Sequence, residues 1–186
     1  LETLHLAKEE IVILSGPSHA EEVSQKYPTT VVAACANINH ARDVQKLFSN
    51  DYFRVYSGND VIGVEIGGAA KNIIALAAGI CHGVGYGDNT MAALVTRGLE
   101  EIIRLGTTLG AERATFSGLS GMGDLIVTAF SPHSRNRQVG ERIGKGEKLS
   151  DILAGMEMVA EGVETARSIH GLTQNNNIEM PICEQI

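Results

Sequence analysis

A single lysine, Lys71, stands in the middle of the largely apolar run from Val61 to Cys81 and is followed at once by Asn72. The run reads as one long buried helix, and a formal charge in such a helix is costly unless it is paired, solvated by a cavity or kept for chemistry. At about 100° per residue, Gly67, Gly68, Ala75 and Ala78 fall on the lysine side of the helix, while Ile62, Ile66, Ile73 and Ile80 cluster opposite. One face is bulky and core-seeking and the other nearly bare, so another backbone or a flat ligand can come close to the ammonium. The plainer reading is a lysine that snorkels out of a packed helix.

The chain of 186 residues is 44% hydrophobic and only 4% aromatic, which suits one or two soluble domains with aliphatic cores. A net charge of −7 argues against general nucleic-acid binding. The run from His133 to Lys148 nevertheless carries +3, leaving −10 elsewhere, so positive charge is concentrated where an anion could sit. Cys35, Cys81 and Cys183 are widely spaced, match no metal-ligand pattern and suggest a reducing, cytoplasmic setting with no metal site. The six histidines show no ligand spacing either and read as ordinary. Val61 to Cys81 is long enough to raise a transmembrane reading, but Glu65, Lys71, Asn72 and four glycines oppose it, and no membrane span is expected. The start at Leu1 and the stop just after Pro181 read as cut ends of a longer protein.

The first sixty residues alternate strand and helix signals: Ile11 to Leu14, a helix from about His19 to Lys26, Thr29 to Ala36, a helix from about His40 to Ser49, then Phe53 to Tyr56. That rhythm marks an α/β remnant of a doubly wound Rossmann-type sheet. From Val61 onward strand signals vanish. Helix punctuation replaces them, with Asn89 or Thr90 as a cap before Met91, Gly110 as a stop, Ser134 and Ser150 as caps and Gly171 closing another helix. The expectation is an end of a nucleotide-binding domain over 1–59 and an all-helical domain over 60–186, with Lys71 near the seam where ligand clefts form.

Four segments have the chemistry for such a cleft. Gly16-Pro17-Ser18-His19-Ala20 follows a strand and precedes a helix, the crest at which open sheets bind ligands, although a simple turn looks the same. Gly118 to Asp124 is glycine-rich with spacing GxxGxG; the GxGxxG dinucleotide fingerprint occurs nowhere in the chain. Asp124 is either a helix N-cap or a carboxylate that orients the lysine or a substrate hydroxyl. Ser134, Arg135 and Asn136 set a hydroxyl at an N-cap and a guanidinium and an amide in the first helical turn, a strong arrangement for phosphate or carboxylate. Val159 to Thr165 is a weaker helix-start pattern in which Glu161 could reach a ribose hydroxyl.

Gly16-Pro17-Ser18-His19-Ala20, Gly68-Ala69-Ala70-Lys71-Asn72-Ile73-Ile74-Ala75, Gly118-Leu119-Ser120-Gly121-Met122-Gly123-Asp124-Leu125 and Ser134-Arg135-Asn136 occur in the order and at about the spacing seen in bacterial-type NAD(P)-dependent glycerol-3-phosphate dehydrogenases, which the chain resembles over nearly its whole length. The resemblance implies that Lys71 is the general base, that Gly16, Ser18, Lys71, Asp124, Ser134, Arg135 and Asn136 contact glycerol phosphate, and that Ala20, Arg135, Val159 and Glu161 line NAD or NADP. It further implies interconversion of sn-glycerol 3-phosphate and dihydroxyacetone phosphate by hydride transfer, supplying glycerol 3-phosphate for phospholipid synthesis, in an enzyme that could be a homodimer. The first Rossmann half, with its glycine fingerprint and a further substrate lysine, is not in this sequence. Two alternatives stand beside this reading. A β-hydroxyacid dehydrogenase relative would carry GxxxKxxxN; Gly67 and Lys71 fit, but position 75 is Ala. The other is a non-catalytic helical module for dimerisation or metabolite binding.

Overall fold

The computed structural model describes residues 10–156 and 161–186. Three strands come first: β1 (Ile13–Ser15), β2 (Thr29–Ala34) and β3 (Phe53–Gly58), in spatial order β1-β2-β3. β2 and β3 are parallel, in register from Thr29 opposite Phe53 to Ala34 opposite Gly58. β1 runs antiparallel to β2, with Ile13 opposite Ala34 and Ser15 opposite Val32, so this portion of the sheet is mixed rather than purely parallel. The short helix α1 (Ala20–Ser24) joins β1 to β2, and α2 (Ile38–Phe48) carries the chain across to β3. Val31, Ala33 and Val55 form the small core of this layer, with Val12, Val44 and Phe53 packed against it. Gln45 on α2 donates its side-chain N–H to the Val55 carbonyl at 2.7 Å, fastening helix to strand.

Among the described residues everything after β3 is helical: α3 (Val61–Val84), α4 (Asp88–Thr108), α5 (Asp124–Phe130), α6 (Arg135–Gly144), α7 (Leu149–Ala154), α8 (Glu161–Asn176) and α9 (Pro181–Gln185), with a 3₁₀ turn over Arg113–Ser117 and a π-helical turn over Leu119–Gly123. α3 is the axle of this layer. It is long and apolar enough to cross a membrane, yet its bulky face packs into the protein core with Ile73 and Ile74 fully buried beside Ile102, Leu105, Phe116 and Leu125. Asp60 starts it: one carboxylate oxygen accepts from Gly63 N–H at 2.9 Å, and the other accepts from Glu112 N–H at 3.0 Å and from the Thr115 hydroxyl at 2.6 Å. The same side chain therefore caps α3 and ties it to the turn 50 residues on. Gly85, at φ +92°, ends α3 in the left-handed conformation.

Three expected helix boundaries differ in the structure: α4 begins at Asp88 after Gly87, so Asn89 and Thr90 both lie inside it and neither is its cap. α7 begins at Leu149 after Lys148, so Ser150 lies inside it, and α8 continues through Gly171 to Asn176. Gly171 faces open space, and one glycine on an exposed helix face weakens a helix without stopping it. A further tie has no local sequence signal. Glu101 on α4 is fully buried and accepts from the N–H groups of Ile182 at 2.9 Å and Cys183 at 3.1 Å, so a carboxylate 80 residues away caps α9.

α3 and α6 meet backbone to backbone. A Cβ added to Gly79 would lie 2.0 Å from the Arg137 carbonyl oxygen, one on Gly140 2.1 Å from that of Leu76, one on Gly83 2.3 Å from that of Glu141 and one on Gly144 2.4 Å from that of Ile80. Glycine in both helices is what permits this approach.

Candidate functional site

The small-residue face of α3 receives another backbone. At Gly67 a Cβ would stand 2.6 Å from the Ser120 carbonyl oxygen, which places the glycine-rich π-helical turn directly on α3. That turn feeds α5, whose first residue, Asp124, points back to the lysine: Lys71 Nζ donates to Asp124 Oδ2 at 2.5 Å. Asp124 is therefore not an N-cap. Gly123, with helical dihedrals, precedes it, and no side chain caps α5. The Lys71 side chain is 19% exposed and that of Asp124 only 6%. Burial pushes the Asp124 carboxyl above its ordinary value, partly offset by the Lys71 ammonium, the Thr128 hydroxyl and the His19 imidazole. Thr128, one turn along α5, donates to the Asp124 carbonyl at 2.6 Å.

Lys71 and Asp124 form one wall of a cleft of about 230 Å³ at the seam between the sheet and the helices. The β1–α1 crest contributes Gly16, Ser18 and His19, and α3 adds Gly68 and Asn72. His133, Ser134, Arg135 and Asn136 at the start of α6 and Glu161 at the start of α8 complete the lining. Ser134 is the N-cap of α6: its buried hydroxyl oxygen accepts from Arg137 N–H at 3.3 Å. Asn136 is buried and accepts from Gly162 N–H at 2.8 Å, joining α6 to α8. Arg135 is exposed and lines the cleft. A helix N-terminus, a guanidinium and an amide thus line the same cleft as the lysine, a combination suited to a small anion.

The cleft gathers every substrate-contact residue expected from the sequence: Gly16, Ser18, Lys71, Asp124, Ser134, Arg135 and Asn136. The cofactor set divides. Arg135 and Glu161 line the cleft; Ala20 is exposed at the first position of α1 and does not; Val159 lies outside the described residues. Gly16, at φ +146°, packs against β2, where an added Cβ would meet Val31 Cα at 2.9 Å, so its backbone freedom serves the sheet. Ser18 donates its hydroxyl to the Gly16 carbonyl at 3.0 Å. The sequence reading missed Thr128 and both cleft histidines. His19 and His133 meet edge to face, ring centroids 6.0 Å apart, and only His19's place inside the Gly16–Ala20 motif could have singled it out.

The chemistry of the residues fits one end of a nicotinamide cofactor. Gly68 leaves the wall beside Lys71 without a side chain, its missing Cβ meeting only Ser15 Oγ at 3.3 Å. The volume suits a small phosphorylated polyol beside a ring edge and is too small for a whole dinucleotide.

Comparison with known proteins gives the same answer along the chain. The family model described as NAD-dependent glycerol-3-phosphate dehydrogenase C-terminus matches residues 60–186, and its N-terminus counterpart matches residues 2–41. The glycerol-3-phosphate dehydrogenase [NAD(P)+] of Oceanobacillus iheyensis is 55% identical over 185 residues, covering 100% of this chain and 54% of that protein. The Bacillus subtilis protein of that name is 58% identical over 179 residues, 96% of this chain and 52% of its own. The chain spans about half the length of the curated relatives it matches. Among solved structures, glycerol-3-phosphate dehydrogenase from Coxiella burnetii superposes with a TM-score of 0.91 at 40% identity, over 94% of this chain and 54% of that one. With glycerol-3-phosphate dehydrogenase from Saccharomyces cerevisiae the TM-score is 0.83 at 28% identity, over 92% and 53%. From the sheet remnant through the helical layer, the chain belongs to the NAD-dependent glycerol-3-phosphate dehydrogenase family.

Proposed function

We propose that this chain supplies the substrate-binding and proton-transfer half of an enzyme that interconverts sn-glycerol 3-phosphate and dihydroxyacetone phosphate with NAD or NADP. The observation that carries the proposal is the Lys71–Asp124 pair, 2.5 Å apart, lining one cleft together with the N-terminus of α6. In this reading residues 1–59 are the end of the nucleotide-binding domain and 60–186 the substrate domain.

Lys71 Nζ takes the proton of the C2 hydroxyl during oxidation and returns it during ketone reduction. Asp124 holds the nitrogen in place and stabilises the ammonium formed there, as a buried carboxylate steadies a base in other enzymes. Arg135 clamps the phosphate through its planar fork, helped by the α6 N–H groups behind Ser134 and by the Asn136 amide. Gly16 and Ser18 bound the substrate on the sheet side, while Ala20, Arg135, Val159 and Glu161 contact the cofactor. A bound nicotinamide supplies the hydride acceptor or donor for C2. A glycerol 3-phosphate product of this kind serves phospholipid synthesis. Cys81 and Cys183 are free thiols, which supports a cytoplasmic setting. The β-hydroxyacid dehydrogenase alternative is not favoured: Ala75, where its asparagine would stand, is fully buried.

The test is steady-state kinetics on the full-length protein containing this sequence, with glycerol 3-phosphate and glycerol as parallel substrates. Arg135→Lys keeps the charge and loses the fork, so kcat/KM for glycerol 3-phosphate is expected to fall by about 1 to 3 kcal/mol while glycerol is almost unaffected. An unchanged wild-type preference for glycerol 3-phosphate after the substitution, or no turnover of it by the wild type, rejects the assignment.

A further inference from the structure

His19 Nε2 is the one buried side-chain nitrogen or oxygen, among the described residues, that has no hydrogen-bond partner. A polar atom enclosed in this way is destabilising until something binds it. The His19 side chain lines the cleft and is near enough to Asp124 to act on its carboxyl, with Nε2 itself enclosed in the free protein. The edge-to-face contact with His133 fixes the ring plane without using that nitrogen. Neighbouring groups are already committed: the Ser18 hydroxyl hydrogen goes to the Gly16 carbonyl and Asn136 Oδ1 to Gly162 N–H. On the sheet side of the cleft, then, His19 is the side chain left with an open hydrogen-bonding position.

We propose that His19 is a substrate-contact residue, its Nε2–H donating a hydrogen bond to an oxygen of the phosphorylated polyol bound in the cleft. The inference rests on the function proposed above. It adds the imidazole to the polar contacts made by Lys71, Arg135 and the N-terminus of α6, beside Ser18 on the sheet side.

The full-length enzyme is tested as His19→Leu and His19→Gln. Leucine removes a polar atom that has no partner in the free protein, so the ligand-free melting temperature should stay level or rise, whereas a structural histidine would show a fall. KM for glycerol 3-phosphate should rise about tenfold with KM for the cofactor unchanged, and the rise in melting temperature on adding glycerol 3-phosphate should shrink accordingly. Glutamine reaches the same place with an amide N–H and should recover most of the affinity. Wild-type values in both variants, equal losses in both, or a lower ligand-free melting temperature for His19→Leu with KM unmoved would each overturn the contact. A wild type inert toward glycerol 3-phosphate would instead overturn the reading of the cleft itself, so the two failures are told apart in one experiment.

Discussion

The Gly162 N–H donates to Asn136 Oδ1 at 2.8 Å, inside the protein, so one amide both lines the cleft and holds the start of α8 against α6. Its oxygen is structural, and only its Nδ2 is left to serve a ligand.

Separating the two ends of that amide gives the first prediction. Asn136→Asp keeps the acceptor for Gly162 but replaces a donor with negative charge at an anion site, so KM for glycerol 3-phosphate should rise at least about tenfold, while the α6 N-terminus offsets part of what burying the charge costs in melting temperature. Asn136→Ala leaves the Gly162 N–H buried without a partner and should lower stability by about 1–3 kcal/mol. Denaturant titration beside kinetics distinguishes the two.

The Lys71–Asp124 pair makes a second prediction. Lys71→Met should lower kcat of the full-length enzyme by about 10²- to 10⁴-fold. It should also destabilise the fold by about 3–5 kcal/mol at neutral pH, because Asp124, 4% exposed, would be left as an unpaired buried carboxylate. Adding Asp124→Asn should restore most of that stability and none of the activity. Equal stability of the single and double variants would mean that the carboxylate relaxes to water.

A third prediction concerns pH. Burial raises the Asp124 carboxyl above its ordinary value near 3.8, so in the window between that value and the raised native one the folded state holds more protons than the unfolded state. Stability then falls as pH rises through the window. The unfolding free energy of the wild type relative to Asp124→Asn should therefore decline across it and level off above. A difference that is flat with pH would show that Lys71 and Thr128 fully offset the burial.

Glycines supply the fourth. Gly140→Ala drives a Cβ to 2.1 Å from the Leu76 carbonyl oxygen, a backbone atom that cannot rotate away, and should cost about 3 kcal/mol or more. Gly171→Ala, in the exposed part of α8 with nothing nearby, should stabilise by about 0.5–1 kcal/mol. Both are read from thermal or urea denaturation.

Much of the site was legible because its signals are local. Lys71 stood out by charge against an apolar helix, and Ser134 by its position before a helical first turn, where it does cap α6. The small-residue face of α3 foretold a close neighbour, which proved to be the Ser120–Gly121 backbone. What escaped was non-local. Nothing near Glu101 announces a helix N-terminus 80 residues away, and the antiparallel pairing of β1 depends on where the sheet places it, not on its three residues. His19 read as ordinary because an unpartnered nitrogen is a property of surroundings that periodicity does not encode.

The glycine contacts between α3 and α6 have a consequence for selectivity. Main chain rests on main chain at Gly79, Gly83, Gly140 and Gly144, so the spacing of the two helix backbones that carry Lys71 and the first turn of α6 is set by main-chain contact and not by adjustable rotamers. Under the function proposed above, the pair would work as a fixed-jaw gauge: an alcohol and a phosphate the right number of bonds apart would engage both jaws, and a polyol phosphate one carbon longer would reach only one of them.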